Sequence, residues 1–270
     1  MLRRLFPALF LAAMAGSPAM AQIVFAVTEG VTYQATPKEI REKFEPLAEV
    51  VAKTLRREVR VVLVPAYDEA RAGLAKQEFD IAFVHPAHVA LAAVKTGRYR
   101  TLAWTSGFTD YTVSLIVKPE STIKGLDDVK GRTLVTPDPD SITAVMVRAM
   151  LRSQKIGEKE LNVRTTRYQD AVPFYLDYGF ADVGATAARA VVKSWTDKGG
   201  KVVVNSRPVP IKHLIVSTKL SSEDTERLRE ALVALAATEP GKKVLAATGY
   251  RGFQAPNPEI EAASIAWLGL

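Results

Sequence analysis

The stretch EVRVVLVPAYDEARAGLAKQEFDIAFVHPAHVALAAVK, residues 58–95, decides the fold, because strand-like and helix-like segments alternate along it. Its first run is apolar and β-branched, which predicts a buried strand, and a short helix is expected over 67–76. The run FDIAFV at 79–84 predicts the next strand, Pro86 ends it, and 87–95 is expected to be helical. Strands that alternate with helices in this way form mostly parallel sheets with helices on both faces.

The alternation extends in both directions and gives about nine predicted strands in all. Upstream, IVFAV at 23–27 predicts a strand, and the helix that follows contains Pro46, which is expected to kink or restart it. Downstream, strands are predicted at 112–118 and up to Thr136, and an amphipathic helix at 141–155. Strand and helix patterns then continue, and the C-terminal part is expected to be mainly helical.

Two extended stretches, around 111–115 and 205–210, are predicted to cross between two lobes. The chain would then divide into a discontinuous first lobe, 22–112 plus 207–270, and a continuous second lobe, 113–206. Two α/β lobes joined by two strands form a hinge with a cleft between them. The fold class predicted from the sequence is therefore a two-lobed α/β protein with a sheet in each lobe.

The first 21 residues, MLRRLFPALFLAAMAGSPAMA, are typical of a secretory signal peptide. Two arginines precede an apolar run that is shorter than the about 20 residues a membrane-spanning helix needs. The small residues Ala19 and Ala21 predict cleavage before Gln22. Because the chain has no cysteine, a bacterial lipoprotein is excluded. We therefore expect export to a bacterial periplasm.

Composition excludes several classes of function. The chain carries a net charge of +7 without a basic stripe interleaved with aromatics, so no nucleic-acid partner is expected. The absence of cysteine rules out thiolate nucleophiles, iron–sulfur clusters and cysteine-based zinc sites. The chain also contains no GxSxG, GxxxxGK[ST] or HExxH motif. We predict no cofactor, no metal and no catalytic residues.

Ligands of open α/β sheets lie beyond the carboxyl ends of the strands, which selects a few loops. These loops are 28–33, 65–67, 85–88, 136–143 and 167–170, together with Thr186. A candidate ligand-binding side chain must come from one of them or from a segment that crosses the cleft.

The segment PDPDSIT, residues 137–143, is the most informative of these loops. Asp140 or Ser141 is expected to cap the following helix, whose first turn has unpaired N–H groups and the positive end of the helix dipole. Ser141 and Thr143 add hydroxyl donors, so an oxyanion would be well held there. An ordinary capped helix with no ligand explains the same residues.

Two tyrosines and two histidines complete the candidates found from position alone. Tyr67 follows a strand and Tyr111 lies in a crossing segment, so their hydroxyls could donate to a ligand, although each could equally be a core or surface tyrosine. His85 and His88 flank Pro86 and could bond a ligand, sense pH, hold a metal or have no role. We interpret His213 as structural.

Four segments together resemble the periplasmic phosphate/phosphite/phosphonate-binding protein family of ABC importers. The most specific is AYDEARAGLAKQEFDIAFVHPAHVALA, and the resemblance runs over nearly all of the chain beyond the signal peptide. The others are FEPLAEVVAKTL, YTVSLIVKPESTIKGLDDVKGRTLVTPDPDS and YQDAVPFYLDYGFADVGAT.

The resemblance implies a type II periplasmic-binding-protein fold and a small anion held between the lobes. Tyr67 and Tyr111 would be hydroxyl donors from the first lobe. The residues at the family's phosphoryl-binding helix start would be Asp140, Ser141, Ile142 and Thr143. The implied partner is an ABC permease in the inner membrane, and the binding protein is expected to be a monomer.

This chain departs from the family pattern at positions that bear on the ligand. A run of small hydroxylated residues is replaced in part by Asp140, and Gln169, with Tyr168 beside it, stands where the family has a ligand-binding histidine. His85 replaces a glycine, and His88 is also unusual. We predict a solute-binding protein for phosphonate, phosphate, phosphite or another small anion. The alternatives are a ligand-sensing partner of a sensor kinase and an exported hydrolase or transferase.

Overall fold

A computed structural model describes residues 22–29 and 36–270. The predicted signal peptide, 1–21, lies outside the described residues, as do positions 30–33 of the loop after the first strand. No helix among the described residues has the length and apolar character needed to cross a membrane.

The described chain alternates strands and helices, numbered here in chain order. The strands are β1 (Ile23–Thr28), β2 (Val59–Leu63), β3 (Ile81–Val84), β4 (Tyr99–Thr105), β5 (Ser114–Val117), β6 (Thr133–Thr136), β7 (Asn162–Thr165), β8 (Val183–Thr186), β9 (Lys201–Asn205), β10 (His213–Ser217) and β11 (Phe253–Gln254). The helices are α1 (Pro37–Leu55), α2 (Tyr67–Lys76), α3 (Ala87–Lys95), α4 (Ile142–Ser153), α5 (Val172–Asp177), α6 (Arg189–Asp197), α7 (Ser222–Ala234), α8 (Glu239–Thr248) and α9 (Pro258–Leu268).

The strands form two sheets, in the orders β11-β4-β10-β3-β1-β2 and β7-β6-β8-β5-β9. In the first sheet, β1 pairs in parallel with β2 and β3, and β10 runs antiparallel between β3 and β4. In the second, β6 pairs in parallel with β7 and β8, and β5 runs antiparallel between β8 and β9. Most strands of each sheet therefore share one direction, and β5, β10 and β11 are reversed. The predicted two-sheet α/β fold is confirmed.

The chain passes between the sheets twice, through 106–113 and 206–212. These segments run side by side: the N–H of Val209 donates to the carbonyl of Tyr111 at 3.0 Å, and the N–H of Val113 donates to Ser206 Oγ at 2.9 Å. The lobe limits derived from the sequence lie within these segments, and that division remains a proposal.

Apolar packing also joins the two halves. One buried cluster contains Ala87 and Leu91 of α3, Met146 and Met150 of α4, and Leu268 of α9. Helix α9 contacts both α3 and α4, and Arg152 of α4 donates to the carbonyl of Trp267 near the end of α9. The C-terminal helix therefore packs against elements that flank different sheets.

Two features differ from the sequence prediction. Strands β4 and β11 were not predicted, because Arg100 and Thr101 interrupt the apolar pattern of the first and the second is only two residues long. Helix α1 also runs without a break through Pro46, so the predicted restart is wrong. Its buried face, which includes Phe44 and Leu47, packs on the first sheet. The free energy gained by this burial offsets the loss of the helical hydrogen bond that proline cannot donate.

Candidate functional site

Helix α4 begins at the carboxyl end of β6, and the loop before it is fixed by its own hydrogen bonds. Asp138 accepts from the N–H of Asp140 through Oδ1 at 2.8 Å and from the N–H of Ser141 through its carbonyl at 2.8 Å. Ser141 is the N-cap, and its Oγ accepts from the N–H of Ala144 at 3.2 Å. Because the side chain of Ile142 is buried in the core, only its backbone can serve a ligand.

Tyr111, Thr143 and Gln169 form one hydrogen-bonded group at the start of α4. Tyr111 Oη lies 2.9 Å from Thr143 Oγ1, and Gln169 Nε2 donates to Tyr111 Oη at 3.3 Å. The amide of Gln169 is oriented by its oxygen, which accepts from the N–H of Ala187 at 2.5 Å and from Thr186 Oγ1 at 3.2 Å. The sequence candidates Tyr111, Thr143 and Gln169 are therefore brought into direct contact.

Burial keeps the phenol of Tyr111 neutral. It raises the pKa of Tyr111 above its usual value, and the hydrogen bonds to Thr143 and Gln169 oppose this rise only in part. At neutral pH the phenol therefore keeps its proton. A group with neutral hydroxyl and amide donors can hold an anion's oxygens without bringing a charge of its own.

A second group, the Arg71–Asp140–His88 cluster, connects the first half of the chain to the loop before α4. Asp140 Oδ1 accepts from Arg71 Nη2 at 2.5 Å and lies 3.1 Å from His88 Nε2. Arg71 Nη1 also donates to Asp68 at 3.0 Å. The ring of Tyr67 meets the ring of His88 edge-on at 6.2 Å, so Tyr67 adjoins this cluster.

The charges in the cluster follow from its burial and its hydrogen bonds. Desolvation lowers the pKa of His88 to about 4, so the ring is neutral at pH 7 and its Nε2 must carry the proton that it donates to Asp140. Desolvation pushes the pKa of Asp140 upward, but the hydrogen bonds from Arg71 and His88 outweigh it and hold that pKa below its usual value. Asp140 is therefore ionised, and Arg71 is its counter-ion.

Two other candidates do not join these groups through the observed hydrogen bonds. His85 Nδ1 lies 2.9 Å from the carbonyl oxygen of Glu29, whose carboxylate bonds Lys43 at 3.1 Å and Tyr250 at 2.5 Å. Desolvation and the charge of Lys212 lower the pKa of His85 to about 4.

Tyr168 carries the guanidinium of Arg167 over its ring at 5.3 Å. The side chain of its neighbour Gln169 belongs to the group with Tyr111. Among the described residues, no group of three or more histidine, aspartate or glutamate side chains could hold a metal ion.

Arg71 was not identified from the sequence, although the structure places it against Asp140. A signal was present: Arg71 lies four residues after Tyr67, and positions four apart share one face of a helix. Helix α2 therefore carries Arg71 on the same face as Tyr67, whose ring is buried in an apolar cluster with Val64 and Leu74. The partner of that guanidinium, Asp140, lies 69 residues further along the chain and could not be found from local sequence.

Comparison with known proteins identifies the family. The profile of the family described as "ABC transporter, phosphonate, periplasmic substrate-binding protein" matches residues 30–259. A search of curated proteins found no match.

Solved structures share the fold at low sequence identity. XAC2383 from Xanthomonas citri bound to ATP has 17% identity and a TM-score of 0.75, over 93% of this chain and 98% of that one. PhnD1 from Prochlorococcus marinus in complex with methylphosphonate has 15% identity and a TM-score of 0.65, over 92% and 97%. A binding protein component of an ABC phosphonate transporter from Pseudomonas aeruginosa has 20% identity and a TM-score of 0.58, over 92% and 94%. With a family profile that matches most of its length, the chain belongs to the periplasmic substrate-binding proteins of ABC transporters, in the phosphonate family.

Proposed function

We propose that this protein binds a small oxyanion of the phosphonate, phosphate or phosphite class in the cleft between the two sheets. The observation that carries the proposal is the contact of Tyr111 with Thr143 at the first turn of α4, with Gln169 as the third donor. The N–H groups of a first helical turn have no acceptor within the helix, and the helix dipole favours an anion there.

Two structural relatives support the ligand class. One was solved with ATP and the other with methylphosphonate, and both ligands present tetrahedral phosphorus with anionic oxygens. Hydroxyl, amide and backbone N–H donors suit such oxygens, because each donor can approach a different one. Tyr67 would contribute from the first lobe, beside the Arg71–Asp140–His88 cluster.

The role of the protein would be to deliver this anion to an ABC permease, as a monomer and without chemical turnover. Ligand contacts that exist only when the lobes are closed would shift the protein toward the form that the permease recognises. Residues 1–21 would direct export and be removed in the process, and intact-mass measurement of protein from the periplasm would then give a chain that begins at Gln22.

Isothermal titration calorimetry tests the ligand class. Methylphosphonate, inorganic phosphate and phosphite are titrated into the protein after ligand carried over from expression has been removed by unfolding and refolding. The proposal predicts heat from at least one of them, and a weaker response when Tyr111 is replaced by phenylalanine. No heat from any of the three would overturn it.

A further inference from the structure

A carboxylate lies beside the site where an anion is proposed to bind. Asp140 directly precedes Ser141, the N-cap of α4, and the first turn that follows is the proposed anion site. Its side chain does not cap the helix, since Ser141 does so. Instead Asp140 reaches across to Arg71 and His88.

The surroundings hold this carboxylate in place and keep it charged. Its Oδ1 accepts from both Arg71 and His88, and its backbone N–H is bonded to Asp138. His88 is neutral, so Arg71 is the only cation hydrogen-bonded to Asp140 among the described residues. Arg71 in turn bonds the carboxylate of Asp68. The positive charge of Arg71 is therefore already balanced by carboxylates before any ligand binds.

The other proposed donors are uncharged. Tyr111, Thr143 and Gln169 supply hydroxyl and amide protons. The start of a helix carries the equivalent of about half a positive charge. This can favour one negative charge on a ligand, but a second one would meet the charge of Asp140 with no further cation from these groups to balance it.

We infer that Asp140 is a specificity-determining residue that makes the cleft favour monoanions over dianions of the same shape. The inference rests on the proposed function, because it concerns the ligand of that same site.

The test uses two probes that share a tetrahedral sulfur with anionic oxygens and differ by one charge. Methanesulfonate is a monoanion and sulfate is a dianion at neutral pH, so the comparison involves no titration. Methylphosphonate serves as the probe for the proposed function itself. Calorimetric affinities are measured for the wild type and for Asp140→Asn, and the ratio of sulfate to methanesulfonate affinity is compared.

We expect the wild type to favour methanesulfonate, and Asp140→Asn to shift the ratio toward sulfate by about tenfold or more, as removal of a nearby like charge in a half-exposed site implies. The matched control is Asp68→Asn, which removes a carboxylate from the same guanidinium, but from a side chain that is 98% exposed. That control should change the ratio far less than Asp140→Asn does, because solvent screens a fully exposed charge. Asp140→Ser is a second variant without the charge, and thermal unfolding verifies that each variant folds.

The other outcomes are distinguishable. An unchanged ratio in Asp140→Asn overturns the inference, and so does equal weakening of all probes, which would mean that Asp140 only holds the lobes together. The inference also fails if methylphosphonate binds but sulfate is rejected even by Asp140→Asn. If no probe binds any variant, the proposed function itself fails.

Discussion

Tyr111 and Thr143 lie 2.9 Å apart through their hydroxyl oxygens, and this contact joins a segment that crosses between the sheets to the first turn of α4. Tyr111 is also paired with Val209 in the second crossing segment. The same residue therefore belongs both to the connection between the halves and to the proposed anion site. A ligand that reorganises the hydroxyl of Tyr111 would act directly on a segment that connects the two sheets.

Replacement of Tyr111 by phenylalanine should weaken methylphosphonate binding. The change removes the hydroxyl that bonds Thr143 and Gln169, and one lost hydrogen bond costs about 0.5–1.5 kcal/mol, or about 1.5–3 kcal/mol when its partner is charged. Calorimetry measures the difference. The control is Tyr99→Phe. The hydroxyl of Tyr99 donates to the carbonyl of Phe79, outside the proposed site, so its loss should affect stability alone. Equal affinities for wild type and Tyr111→Phe would remove Tyr111 from the site.

Replacement of Ser141 by alanine should weaken both ligand binding and helix α4. Loss of an N-cap costs about 0.5–2 kcal/mol of stability, because the N–H of Ala144 loses its acceptor. Ser221 caps α7 in the same way, through the N–H of Asp224, so Ser221→Ala is a matched control. Urea unfolding should show similar losses in both variants, whereas only Ser141→Ala should lose affinity. If the two variants bind equally well, the start of α4 does not contact the ligand.

Replacement of His213 by leucine should reduce the acid sensitivity of the protein. His213 is 1% exposed, and neither ring nitrogen has a hydrogen-bond partner among the described residues. Desolvation, with a smaller effect from His85, lowers the pKa of His213 to about 3. In the unfolded chain the pKa is about 6.5, so stability falls as pH drops from about 6.5 toward 3, because only the unfolded chain takes up the proton.

Urea unfolding at pH 7 and pH 5 measures this effect. One such histidine contributes about 2 kcal/mol to the free energy of unfolding that is lost between pH 7 and pH 5. The loss in His213→Leu over the same range should therefore be smaller by about that amount. Part of the acid sensitivity should remain, since His85 and His88 also have a pKa lowered to about 4. The same loss of stability in the variant and the wild type would mean that His213 does not stay neutral in the folded protein.

Replacement of Pro46 by alanine should stabilise the protein by about 1–3 kcal/mol, since it restores a helical hydrogen bond and relieves the ring's clash with the preceding turn. Helix α1 continues through this position and is anchored by a capping box between Thr36 and Glu39. Pro37→Ala is the control, because the first residue of a helix has no acceptor for its N–H and should respond less. Destabilisation by Pro46→Ala would indicate that the proline ring contributes packing that outweighs the missing bond.

Local pattern was sufficient for most of the fold. Helices α2 and α3 begin and end where the sequence predicted, because their apolar periodicity is bounded by Pro65, Pro86 and the glycine that follows α3. Strand β4 was missed because Arg100 and Thr101 are placed in a sheet by their neighbours in space, among them Val216 and Ile215 of β10. Pairing with a strand more than 100 residues away leaves no local signal.

For the candidate site, the sequence predicted positions and not partners. The rule that ligands lie beyond the carboxyl ends of the strands selected Thr143 and Gln169, and the segment that crosses between the sheets supplied Tyr111. The same rule gave no reason to connect Asp140 with Arg71, because that ion pair depends on how the two halves face each other. Whether Asp140 or Ser141 caps α4 was likewise undecided, and the geometry assigns the cap to Ser141.

The account depends most on whether an anion binds at the first turn of α4, and amide chemical shifts measure this directly. Two-dimensional NMR spectra of nitrogen-15-labelled protein are recorded while methylphosphonate is added. We predict saturable shifts for the backbone N–H groups of Ile142 and Thr143, with smaller effects in the distant helix α7. Saturable binding that shifts residues elsewhere and leaves Ile142 and Thr143 unchanged would contradict the account.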